Sequence, residues 1–265
     1  MEQNIESSQT AAPPRAEGDS LLRLCWGAAA TLLAVLYTIP LAIAAALSGA
    51  IGQARGVAWL GRLWARMIIR TAGVKVQFEG LHHIDHLGSF ILVANHQSMF
   101  DILALLAYFP RPIRFVAKKE LLKIPVFGFA LKHGNHIVVD REAGGQAVRK
   151  AIDVAKSGLC IVFFAEGHRF SDNHVHRFNP GAAWLALQTR LPCVPMAISG
   201  SLAIMPRGAK VVRPGRTMRV IVGAPIDTES LAASERNKLT RQLEQAVREL
   251  FARSAAAAST AHNRL

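Results

Sequence analysis

Read as a pattern of apolar and polar positions, the chain divides into three unequal parts. Residues 1–20 are polar, contain Pro13-Pro14 and show no periodicity, which predicts a flexible tail. From Leu24 to Ala54 there is no charged residue. About 20 helical residues cross a ~30 Å hydrocarbon layer, so this run is long enough to span one. Pro40, Ser48-Gly49 and Gly52 interrupt it, so residues 21–70 are expected to embed either as one helix or as a helical hairpin. The run is too long, and begins too far into the chain, for a secretory signal. A buried helix of a soluble protein rarely goes so far without a charge.

The flank of this run supports the same reading. Arg55, Arg62, Arg66 and Arg70 follow with no acidic residue before Glu79. Arg62, Arg66 and Arg70 share one helical face, and Trp59 and Trp64 suit an interface, so the pattern predicts a helix in a headgroup layer. Positive charge on that side puts the bulk of the chain in the cytoplasm.

Beyond residue 70 the pattern changes. Seven short β-rich runs are predicted at 74–80, 90–95, 113–118, 136–140, 159–166, 193–200 and 218–223. Helices are expected between them near 101–108, 145–156 and 181–190, with a long closing helix over 229–257. Strands alternating with helices define an α/β domain over 71–257, with a central, mostly parallel sheet flanked by helices. Residues 258–265 are expected to fray.

Composition adds the sign of the partner. The 265 residues carry a net charge of +13, which calls for an anionic partner. No acidic residue lies between Asn173 and Pro225, where seven Arg and Lys residues fall. Nucleic acid is not expected, because residues 185–225 contain no aromatic side chain on which bases could stack. Cys25, Cys160 and Cys193 lie in apolar runs without a CxxC pair, which predicts buried free thiols in a reducing compartment. The histidine groups at 82–86, 133–136 and 174–176 lack matching ligands, so no metal site is expected.

Candidate chemistry clusters at three strand ends. His96 and Asp101, in NHQSMFD, sit where a strand meets a helix, at the sheet edge where ligands bind. The spacing alone carries no weight, but a turn can set the carboxylate on one imidazole nitrogen and leave the other as a base. No G-x-S-x-G nucleophile accompanies it, which favours direct attack by a bound hydroxyl. Arg141 closes a second strand and suits a phosphate. Glu166, Gly167 and Arg169 close a third, where glycine allows close backbone approach. Pro195 lies inside VPMAISG, an apolar packing or edge element.

In this order the blocks NHQSMFD, GNHIVVDR, FAEGHRF and VPMAISG, joined by VAKKELLKIPVFG, resemble the lysophosphatidic acid acyltransferases over residues 75–225. These belong to the glycerophospholipid acyltransferase superfamily, whose blocks are N-H-x4-D, G-x-x-F-I-D-R, F-P-E-G-T-R and V-P-[VIM]-x-I-x-G. The resemblance implies a glycerolipid acyltransferase-like α/β domain with His96 as general base and Asp101 as its partner. Arg141, Glu166, Gly167 and Arg169 would bind the phosphorylated acceptor, Lys118 would add charge nearby, and Pro195 would shape the acyl region. The implied partners are a membrane phospholipid and lysolipid, with acyl-CoA or acyl carrier protein as thioester co-substrate and no resident cofactor. The expected location is a bacterial inner membrane, with the catalytic domain on its cytoplasmic face. Ala165 and His168 replace the usual Pro and Thr, and Asn179-Pro180 replaces a basic pair. All lie near the acceptor block, which keeps another acceptor, such as a lyso-aminolipid, open.

Overall fold

The computed structural model describes residues 20–123, 128, 131, 133–134, 136–139 and 144–262. Arg141 and residues 1–19 of the polar tail predicted at 1–20 lie outside them.

All seven predicted strands form, in one sheet ordered β1-β7-β6-β2-β5-β3-β4. They are β1 (Lys75–Glu79), β2 (Ile91–Ala94), β3 (Ile113–Lys118), β4 (Ile137–Val139), β5 (Cys160–Phe164), β6 (Cys193–Ser199) and β7 (Thr217–Val222). Every neighbouring pair is parallel except β6 and β7. A parallel sheet needs cover on both faces, and β2 accordingly buries all four of its residues, while edge strand β1 alternates exposed and half-buried ones.

Helices α2 (Ala54–Thr71) and α3 (Met99–Tyr108) cover one face. Phe100, Leu105, Leu92, Val162 and Met196 pack in the core there. Helices α4 (Gly144–Lys156), α5 (Gly181–Thr189) and α7 (Arg236–His262) cover the other face, with Leu243 and Val247 against Ile161 and Ala197. The short α6 (Ser201–Ile204) follows β6. Helix α7 starts later than 229, after Thr228 donates to the Leu191 carbonyl and a 3-10 turn at Ala233–Glu235. It runs past 257 because alanine is the strongest helix former.

Pro195 occupies a central strand rather than an edge, paired with Val93. Its carbonyl accepts from Gly223 N, one residue beyond the end of β7, so its missing N–H faces the point where that ladder already stops.

The N-terminal apolar run is one helix, α1 (Leu21–Ala50), which continues through Pro40. A turn at 51–53 leads into α2, so the two make a hairpin, tied by Trp64 Nε1 donating to Thr38 Oγ1 at 2.8 Å. Helix α1 is long and apolar enough to cross a membrane, and only 6% of its most apolar window is buried. Cys25 is therefore exposed, contrary to expectation, while Cys160 and Cys193 are buried thiols.

Arg66 also departs from expectation. Its Nε donates to the Ala107 carbonyl at 2.9 Å, and its guanidinium lies 5.9 Å from the Tyr108 ring centre. It thus caps the negative end of α3 instead of facing lipid. Arg62 is half-buried on a cavity wall, and Arg70 alone of the three is exposed.

Candidate active site

Just after β2, the Asn95 amide mimics a strand backbone. Its Nδ2 donates to Ile198 O at 2.9 Å and its Oδ1 accepts from Ile198 N at 2.8 Å. The main chain is thereby released to turn while the β2–β6 ladder stays closed. Three residues on, Ser98 caps α3: its hydroxyl accepts from Phe100 N, and Asp101 accepts from Ser98 N at 2.9 Å in a capping box.

That box explains the H-x4-D spacing. Asp101, in the first turn of α3, is fully buried where the helix dipole favours negative charge. Its Oδ2 accepts from Gln97 N at 2.8 Å and Ser98 N at 2.9 Å, and lies 2.8 Å from His96 Nδ1. A carboxylate can only accept, so Nδ1 carries the proton and Nε2 keeps the lone pair. The imidazole stacks on Phe164, with centroids 4.0 Å apart and planes 16° apart, and Phe164 stacks in turn on Phe115. Phe115 N donates to Nδ1 of His136, whose half-buried ring is pushed down to about 3 by desolvation, with Arg114 adding to the effect. His136 is thus a neutral acceptor that props the aromatic stack.

Glu166 is placed behind this site. It is 3% exposed, its Oε2 accepts from His96 N at 2.9 Å and its Oε1 from His176 N at 2.8 Å. Burial pushes its carboxyl up to about 7, against the pull of those two donors. With both oxygens engaged by backbone, Glu166 fixes the His96 turn to the 166–176 loop. Gly167 follows with φ +73°, and a Cβ there would come within 2.9 Å of the Asn179 amide. That amide donates to the carbonyls of Ala165 and Glu166. Asn179 therefore braces the turn, which accounts for one departure from the usual block.

His96 opens on a cavity of about 1660 Å³ between the sheet and the hairpin, larger than the ~300–1,000 Å³ typical of small-ligand sites. Besides His96 the wall carries Gly167, His168, Arg169 and Arg207. Arg169 is lowered by burial and by Arg207, an effect Asp101 opposes. Elsewhere the wall is mostly apolar: Leu41 and Ile43 of α1, Leu60 and Trp64 of α2, Ile102 and Leu106 of α3. Lys118 lines it from the end of β3. Pro195 does not; it borders a separate shallow pocket with Gly223 and Leu250 on the α7 side. Among the described residues no group of three or more His, Cys, Asp or Glu side chains could hold a metal.

Sequence reasoning missed Arg207, which stands outside all four blocks, and the hairpin's part in the wall. The unbroken apolar run signalled the hairpin, but no local pattern singles out Arg207 among its basic neighbours.

An Asp-oriented histidine and two arginines at the strand ends of an α/β sheet thus share one large, mostly apolar cavity. Residues 75–199 match the family model described as Acyltransferase, so this part of the chain is an acyltransferase-family domain. The chain is 28% identical over 192 residues to a chloroplastic 1-acyl-sn-glycerol-3-phosphate acyltransferase of Brassica napus, covering 70% of this chain and 55% of that one. It is 31% identical over 173 residues to the 1-acyl-sn-glycerol-3-phosphate acyltransferase of Cocos nucifera, with 64% and 55% covered. To the mouse 1-acyl-sn-glycerol-3-phosphate acyltransferase alpha it is 30% identical over 168 residues, with 62% and 59% covered. These matches span little more than half the length of the relatives. The crystal structure of the 1-acyl-sn-glycerophosphate acyltransferase PlsC from Thermotoga maritima superposes with a TM-score of 0.71 at 23% identity, covering 88% of this chain and 97% of that one. That likeness establishes a shared fold.

Proposed function

We propose that this protein transfers a fatty acyl group from a thioester, acyl-CoA or acyl carrier protein, to the sn-2 hydroxyl of a membrane 1-acyl-glycerol-3-phosphate, giving phosphatidic acid. The observation that carries the reading is the 2.8 Å contact of His96 Nδ1 with Asp101, on the wall of a large, mostly apolar cavity that also carries Arg169 and Arg207.

Nε2 of His96 takes the hydroxyl proton as the oxygen attacks the thioester carbonyl. Asp101 stabilises the imidazolium that forms, and the thiol departs with a proton returned by His96. Two backbone N–H donors hold the Asp101 carboxyl in place against the imidazole. Arg169 holds the phosphate, so that orientation lowers the barrier. The apolar wall receives an acyl chain. Helix α1 holds the cavity at a bilayer, with the domain on the cytoplasmic face of a bacterial inner membrane. The relatives named above bear the same activity in their names, and the site's charge and apolar length agree with it.

His168, on the cavity wall beside Arg169 where the usual block has Thr, supports a second acceptor reading, a lysolipid with a different headgroup. Purified protein given a labelled acyl thioester and a panel of lysolipids separates the two. Labelled phosphatidic acid is the expected main product. Labelled free fatty acid alone, or acylation of only a non-phosphorylated lysolipid, would overturn the reading.

A further inference from the structure

Arg207 shares the cavity wall with His96, His168 and Arg169. It is close enough to Arg169 for the two positive charges to act on each other. No acidic side chain pairs with Arg207 among the described residues. The two carboxylates nearest the reacting histidine are committed elsewhere: Asp101 to the imidazole and two N–H groups, Glu166 to the backbone of His96 and His176. Two guanidinium groups near each other on one cavity wall, with no acid paired to Arg207 among the described residues, repel each other until an anion with several oxygens lies between them.

The loop bearing Arg207 is held at several points. Ser98 Oγ of the catalytic turn donates to Met205 O at 2.7 Å, and Arg213 N donates to Ile204 O at 2.8 Å. Val212 N donates to Thr31 Oγ1 of α1 at 3.1 Å, and a Cβ on Gly27 would run into the Val212 carbonyl. Pro206 is buried beside Arg207, and Gly208 takes φ +85°. The segment that carries this arginine is thus fixed both to the catalytic turn and to the apolar helix.

We infer that Arg207 is a second phosphate-binding residue, which with Arg169 grips the acceptor's phosphate and selects phosphorylated over neutral lysolipids. This rests on the acceptor reading given above. It also gives α1 a part in substrate recognition, because the loop that carries the arginine is seated on that helix.

The test is steady-state kinetics of the full chain in mixed micelles with 1-acyl-glycerol-3-phosphate as acceptor. Arg207→Ala is expected to raise KM for that acceptor on the order of tenfold to a hundredfold, with kcat unchanged at saturation. Arg207→Lys keeps the charge without the fork and is expected to recover part of the loss. An unchanged KM in Arg207→Ala overturns the inference alone. So does a fall in kcat shared by both variants, which marks a loop that only supports Ser98 and the catalytic turn. Wild-type protein that acylates only non-phosphorylated lysolipids overturns the acceptor reading, and this inference with it.

Discussion

Two apolar helices of this chain meet opposite surroundings. Helix α3 is ten residues long and buries Phe100, Leu103, Ala104, Leu105 and Ala107 between the sheet and α2. Helix α1 is three times as long and leaves Leu32 70% and Leu36 66% exposed. Their compositions alone would not separate them. The difference lies in what each can reach: α3 follows the sheet's central strand directly and is roofed by α2. Helix α1 extends about 45 Å at 1.5 Å per residue, and α2 and the 205–216 loop cover only part of its surface. The buried helix holds the His96–Asp101 turn by its first residues, and the exposed one provides an apolar wall and an apolar flank that the protein leaves largely uncovered.

Truncation at matched positions should break that symmetry most visibly. Leu105→Ala opens a hole in a filled core and is expected to lower stability by about 2–5 kcal/mol. Leu36→Ala removes atoms that are mostly exposed, and should stay within about 0.5 kcal/mol. Thermal unfolding in one detergent measures both. Equal losses would mean that α1 is packed like α3.

A smaller effect probes the turn that α3 holds. The Glu166 carboxyl stands at about 7 in the folded protein against an ordinary 4.5, so the folded state binds its proton more tightly than the unfolded one. The stability it contributes is full below pH 4.5 and declines as the pH rises through 7. The gap in pKa corresponds to about 3 kcal/mol over that window. Glu166→Gln has no such proton, so its stability relative to wild type should improve as pH rises from 4.5 to 8. Parallel pH profiles of unfolding would contradict the burial argument.

The smallest effect belongs to α1. Basic residues near an anionic surface contribute about 1 kcal/mol each and are weakened by salt, whereas apolar burial is not. A wash in concentrated salt is therefore expected to leave the protein in the membrane fraction and detergent to release it. Quantitative release by salt would mean that α1 is not embedded.

The α/β domain was readable in the sequence because each strand is a short β-rich run between helical patterns, and the seven appear where those runs lie. The reversal at β6–β7 was not, since an antiparallel final strand carries no local mark. The pairing of His96 with Asp101 was foreseen from the turn between them, and the capping box supplies its mechanism. The backbone partners of Glu166 were not legible, because an acidic residue at a strand end looks the same whether it meets a ligand or two backbone N–H groups. Arg66 was misjudged for a related reason: i, i+4 spacing identifies a helix face but not what that face meets. Arg207 comes to the cavity through a tertiary connection, from Ser98 to Met205, which no spacing encodes.

The central claim is that His96, oriented by Asp101, is the base for acyl transfer. Its most direct test compares wild-type and His96→Ala proteins for phosphatidic acid formation from one acyl thioester and 1-acyl-glycerol-3-phosphate, with membrane binding and unfolding temperature measured on the same preparations. Turnover is expected to fall by about 10²–10⁴ while membrane binding and unfolding hold steady. A His96→Ala protein that forms phosphatidic acid at the wild-type rate would contradict the claim.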